Sequence, residues 1–217
     1  MPVSPCPTGG FGKGGTGRCA GRQPPYTIDA MTLTNFLVPA YRHMLQTLAG
    51  LVDKASRQMP DHAEALLSAR LAPDMLPLTA QLRFAAFQAQ EAVFRLSGER
   101  VPGWLDAIAA EGRDAGESPG TVVDARKRID DALSFLSDVP GDALDAGADL
   151  PITIALPGGI TFDMTGDRYA RDWALPQFYF HVITAYAILR AQGVEIGKAD
   201  YVPHMFAYLR PGTMPAA

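Results

Sequence analysis

Cysteine is nearly missing from this 217-residue chain, and its two copies, Cys6 and Cys19, both fall within the first thirty residues. From residue 31 onward there is no thiol, so a disulfide framework, a thiolate metal site and a cysteine nucleophile are excluded there. Positive charge is not in excess: the net charge is −4. The basic footprint of a nucleic-acid binder, or of a protein drawn to an anionic membrane surface, is therefore lacking. Long apolar runs are scarce too. Seventeen uncharged residues lie between Asp172 and Arg190, but Pro176, Gln177, His181 and Thr184 interrupt them. No second such segment exists, so a buried bundle helix explains the stretch better than a membrane span. The expectation is a soluble, cytoplasmic protein. No Ser-His-Asp spacing or dinucleotide fingerprint occurs.

Large aliphatic residues are almost absent from residues 1–30, which are rich in Gly and Pro and show neither helical nor strand period. Lys13, Arg18 and Arg22 face Asp29 alone, and the continuous apolar centre of a signal peptide is missing. The segment reads as a disordered N-terminal extension, and the helical pattern that begins at Met31 favours a mis-assigned start over a native tail. Gly12 to Cys19 has the look of a phosphate-binding glycine loop. Arg18 and Cys19 stand where such a loop needs Lys and a Ser or Thr hydroxyl, so nucleotide binding is rejected.

What remains, 47% hydrophobic over the whole chain, is enough for one globular domain with a sizeable core. Four apolar stripes run through it with spacings that alternate between three and four, keeping one helix face apolar over several turns. The first holds Leu37, Tyr41, Met44, Leu48, Leu51 and Ala55, with Thr34 as expected cap and Pro60 as terminator. The second runs Met75, Leu78, Leu82, Ala85, Ala89, Ala92 and Leu96, closed by Gly98. Between them, residues 61–69 read as a short helix capped by Asp61. The third holds Val122, Ala125, Ile129, Ala132, Leu136 and Val139 behind Thr121, and the fourth holds Phe178, Val182, Ala185 and Leu189. Trp104, Leu105 and Ile108 fit one extra helical turn at most.

A β-hairpin interrupts the helices. Ile152, Ile154 and Leu156 alternate with polar or small residues, as do Ile160, Phe162 and Met164 across a Pro157-Gly158-Gly159 turn. A lone hairpin is marginal in water, so its apolar face needs the bundle or a partner. The fold class expected is all-α, a four-helix bundle with a small β-hairpin inserted before the last helix. The domain is expected over residues 31–202, followed by a flexible C-terminal tail, 203–217.

Several stretches resemble one known family. Leu71 to Met75, the hairpin, Leu175 to Arg190, and Gly193 to Tyr201 together are similar to a bacterial family of unknown function within the DinB/YfiT-like four-helix-bundle superfamily. The resemblance implies a scaffold that in active members holds a divalent metal through one His on the second helix and a His-x-x-x-His pair on the fourth. Residues four apart share a helix face, so two imidazoles there can converge on one cation. In this chain His181 suits the first member of the pair, but Ala185 takes the partner position. The second helix carries Gln81 and Gln88 and no His, and Gln is a poor ligand for zinc or nickel.

The candidate pocket residues are accordingly His181, Tyr41, Gln81, Tyr179 and Trp173. No cofactor is predicted. If a Zn or Ni ion binds, His181 with His62 or His43 is the set to examine, and Glu64 or Asp74 could join them. His43, His62 and His204 otherwise read as surface or boundary side chains, and Arg168 and Arg171 as one half of a helix-start charge pair with Asp167 and Asp172. The reading is a non-catalytic or small-molecule-binding bundle, a homodimer by resemblance, with a degenerate metal site. The alternative is a metal-dependent transferase or isomerase acting on a small thiol adduct.

Overall fold

The structure, a computed structural model, describes residues 31–213 apart from residue 157. The expectations for residues 1–30, for Pro157 and for 214–217 lie outside the described residues.

The first stripe forms α1 (Leu33–Gln58), which buries all six of its predicted core positions. Its cap is Thr32, not Thr34: Thr32 is extended, and its hydroxyl accepts the Asn35 amide at 3.3 Å. Thr34 already lies on the helix and points inward. Its hydroxyl donates to Asp145 Oδ1 at 2.7 Å and accepts the buried Leu144 amide at 2.9 Å, tying the helix start to a loop far along the chain.

Asp61 caps nothing. Pro60–His62 makes a tight 3-10 turn, where proline's fixed φ is an asset, and α2 is only Ala63–Leu66. The second stripe is α3 (Leu78–Leu96), which starts after Pro77, so Met75 sits in the preceding turn rather than on the helix. Gly98, with φ +75°, takes the left-handed conformation that ends it.

The segment read as one extra turn is a full helix, α4 (Gly103–Asp114), packed on α3 through Leu105, Ile108 and Ala109. Its charged exterior hides a narrow apolar stripe, which is why the sequence understates it. A Cβ at Gly112 would come within 2.9 Å of the Phe84 ring and push that ring aside.

The third stripe is α5 (Val122–Ser137), opened by a capping box in which Thr121 and Asp124 each bond the other's backbone amide. Glu64 adds a second acceptor there, taking the Val122 amide at 3.0 Å. Strands β1 (Pro151–Ala155) and β2 (Thr161–Thr165) pair antiparallel, with Ile152 opposite Met164 and Ile154 opposite Phe162. Ile152 and Ile154 are buried against the bundle, whereas Ile160 stays exposed.

The last long helix begins twelve residues before Phe178, the first residue of the fourth stripe. It runs without a break as α6 (Gly166–Arg168), a π-helical turn (Tyr169–Ala174) and α7 (Leu175–Ala191). Arg168 and Arg171 therefore lie on the helix, where Arg171 pairs with Asp172 at 2.9 Å and with Asp167 at 3.9 Å. A short α8 (Lys198–Tyr201) follows, and the segment expected as a flexible tail opens with a 3-10 helix, Pro203–Tyr208.

The four long helices form a ring in the order α1, α5, α3, α7, each packed on the next. This is an all-α four-helix bundle with a small hairpin before its last helix. Among the described residues, no helix is long and apolar enough to cross a membrane.

Candidate functional site

α3 is enclosed by α4, α5 and α7, so even its polar residues Gln81, Gln88 and Glu91 are buried. A buried amide must find partners, and Gln81 has two. Its Nε2 donates to the Leu76 carbonyl at 3.1 Å, and its Oε1 faces Nδ1 of His181 on α7 at 2.8 Å. Because the amide nitrogen is committed to Leu76, the oxygen must accept from the ring. The imidazole proton therefore sits on Nδ1, and the lone pair is left on Nε2.

Burial holds the His181 imidazole down, to about 4, so the ring is neutral at physiological pH. Phe84 stacks on it at 5.1 Å between centroids, and Phe180 meets it edge-on at 5.5 Å. Phe84 lies three residues after Gln81 and so shares its side of α3, a spacing visible in the sequence. The Leu76 carbonyl, which fixes the amide, carries no side-chain signal at all.

The other pocket candidates gather elsewhere. Tyr41 is fully buried and meets Phe178 edge-on at 4.8 Å, and Phe178 in turn meets Tyr179 at 5.6 Å. Burial pushes both phenols up, most strongly Tyr41. Trp173 belongs to the hairpin contact, 5.8 Å from Phe162. Of the five candidates, then, only Gln81 and His181 bond to one another.

The remaining histidines are dispersed. His62 is exposed on the 3-10 turn, while His43 stacks on His204 at 4.8 Å. Glu64 is engaged at the start of α5, and Asp74 is exposed. Ala185, at the position of the second metal ligand, is sealed in the core. Among the described residues, no group of three or more His, Cys, Asp or Glu side chains could hold a metal ion. The donor set around His181 thus does not fit the superfamily's ion: one free imidazole nitrogen, an alanine, and an amide whose two ends are already bonded.

Two surface depressions are lined by residues other than His181. One of about 390 Å³ is lined by Arg95, Arg100 and Thr153, and another of about 340 Å³ by Arg83, Glu111 and Arg128. The second is built on a charge ladder. Arg83 is almost fully buried, with Nε 3.4 Å from Glu111, and Glu111 also pairs with Arg128.

A family model described as "Domain of unknown function (DUF1993)" matches residues 33–202. The crystal structure of a DinB family member protein from Shewanella denitrificans superposes with a TM-score of 0.62 and 31% sequence identity, covering 85% of this chain and 94% of that one. No curated protein matches the chain.

Proposed function

This chain belongs to the DUF1993 family and has the DinB-like fold, and we propose that it is a binding protein with a degenerate metal site rather than a metal-dependent transferase or isomerase. The observation that carries the reading is the 2.8 Å bond between His181 Nδ1 and Gln81 Oε1. Where a metal scaffold needs a second imidazole, the chain offers an amide that is already bonded at both ends, and Ala185 contributes no donor.

A neutral imidazole with its lone pair on Nε2 is a hydrogen-bond acceptor. Set against Phe84 and Phe180, it suits a small molecule that carries an O–H or N–H donor on an apolar body. The proton on Nδ1 is held by a neutral partner rather than a carboxylate. The ring therefore lacks the charge relay that would make it a strong base at neutral pH.

Metal analysis by mass spectrometry tests this on protein purified under zinc- and nickel-replete conditions, with His181→Ala alongside. The expected result is far less than one ion per chain in both proteins. One bound ion per chain that disappears in His181→Ala would overturn the reading in favour of metal-dependent chemistry.

A further inference from the structure

The family match ends at residue 202, and the chain continues into the 3-10 helix Pro203–Tyr208. Up to that point the C-terminal region is well tied to α1. Lys54 pairs with Asp200 at 2.8 Å, the Thr47 hydroxyl donates to the Tyr201 carbonyl at 3.4 Å, and Tyr201 meets Tyr186 of α7 at 5.6 Å. Beyond residue 202 the picture changes. Met205, Phe206, Tyr208 and Leu209 are all exposed. His204 alone turns inward, and its ring lies on His43 of α1 with centroids 4.8 Å apart and planes within 5° of parallel.

We propose that the His43–His204 stack is a pH-sensitive latch, holding the C-terminal 3-10 segment on α1 while His43 is neutral and releasing it when that imidazole takes up a proton. Two neutral rings stacked in parallel attract through dispersion and exclude water from each other's faces. A proton on His43 puts a second positive charge beside Arg42 and disfavours the stack. The surroundings offer no relief. The adjacent α1 cation is Arg42, and the nearest carboxylate of α8, Asp200, is already held by Lys54. The His204 Nδ1 is buried without a hydrogen-bond partner among the described residues, so the docked ring is held by stacking alone.

Burial, the facing His204 and then Arg42 hold the His43 imidazole below its ordinary value of 6.5. The docked state therefore binds fewer protons than the released one. Docking is at full strength above 6.5 and weakens as pH falls below it. The stacked geometry also argues against a shared metal ion, because parallel faces do not aim their nitrogens at a common point.

Backbone ¹⁵N heteronuclear NOE measurements on the full chain at about pH 7.5 and about pH 5 test the latch. The amides of Ala207 and Tyr208 are expected to report an ordered segment at the higher pH and to lose that order at the lower, while amides within α3 stay unchanged. His43→Phe keeps an aromatic face and removes the titration of His43, so it is expected to hold the segment at both pH values. A wild-type segment equally ordered at both pH values would overturn the proposal. So would a wild-type pH response that persists unchanged in His43→Phe.

Discussion

His181 Nδ1 and Gln81 Oε1 face each other at 2.8 Å from α7 and α3, and Gln81 is uncharged. A neutral acceptor satisfies the ring's proton without stabilising a positive ring, so burial alone sets the titration of His181, to about 4. The pair thus joins two helices and keeps the imidazole neutral.

Gln81→Glu places a carboxylate at the same distance, and the His181 pKa is expected to rise from about 4. An NMR titration of the ring proton reads this directly; an unchanged midpoint would refute the assigned contact. The wild-type sign also follows. The folded-state pKa lies below 6.5, so the stability linked to His181 is complete above that value and is lost as pH falls toward about 4. For a ring that retains some solvent contact, this amounts to roughly 2 kcal/mol, measurable by urea denaturation across that range.

Tyr41 and Tyr169 are fully buried, and neither hydroxyl has a hydrogen-bond partner among the described residues. Removing an unpaired hydroxyl from a core gives up no bond. Tyr169→Phe and Tyr41→Phe are therefore expected to leave stability unchanged or raise it by up to about 1 kcal/mol. A loss of about 1 kcal/mol or more in denaturant melts would show that the hydroxyl is bonded in solution.

Gly147 stands where backbones nearly touch. A Cβ there would lie 1.9 Å from the Leu96 carbonyl oxygen, which cannot swing away as a flexible side chain could. Gly147→Ala is expected to cost about 3–5 kcal/mol, or to prevent folding, because the end of α3 must shift. Gly141→Ala, in the same loop with nothing within 4 Å of its Cβ, serves as the control and should melt like the wild type.

Much of the bundle was legible because its signal is periodic. The stripes of α1, α3, α5 and α7 bury as their spacing predicts apart from Met75, Val122 and Val139 at their ends, which are half-buried, and Ile152 and Ile154 of the hairpin bury too. Several of the failures share a cause: they turn on contacts between distant residues. Thr32 and Thr34 are equally good caps on paper, and the choice is made by Asp145 and Leu144, more than a hundred residues away. α4 was underread because Leu105, Ile108 and Ala109 become a buried stripe only once α3 is alongside. At the site, the types and positions of His181 and Gln81 were visible, but their bond depends on the meeting of two helices. The docking of His204 on His43 could not be read from a Pro-bounded tail alone.

The π-helical turn Tyr169–Ala174 fixes how the hairpin is coupled to the rest of the chain. A π turn accommodates one residue more than an α turn does, so it acts as a phase shifter between two lengths of helix that would otherwise be locked in rotation. Winding these six residues as regular α-helix, with none deleted, would turn everything N-terminal to them by about 100°. Tyr169 would then swing out of the core, and Gly166 would lose its close approach to Gly147. The orientation of the two strands on the bundle is thus set by a residue count inside the helix, independently of the strands' own pairing.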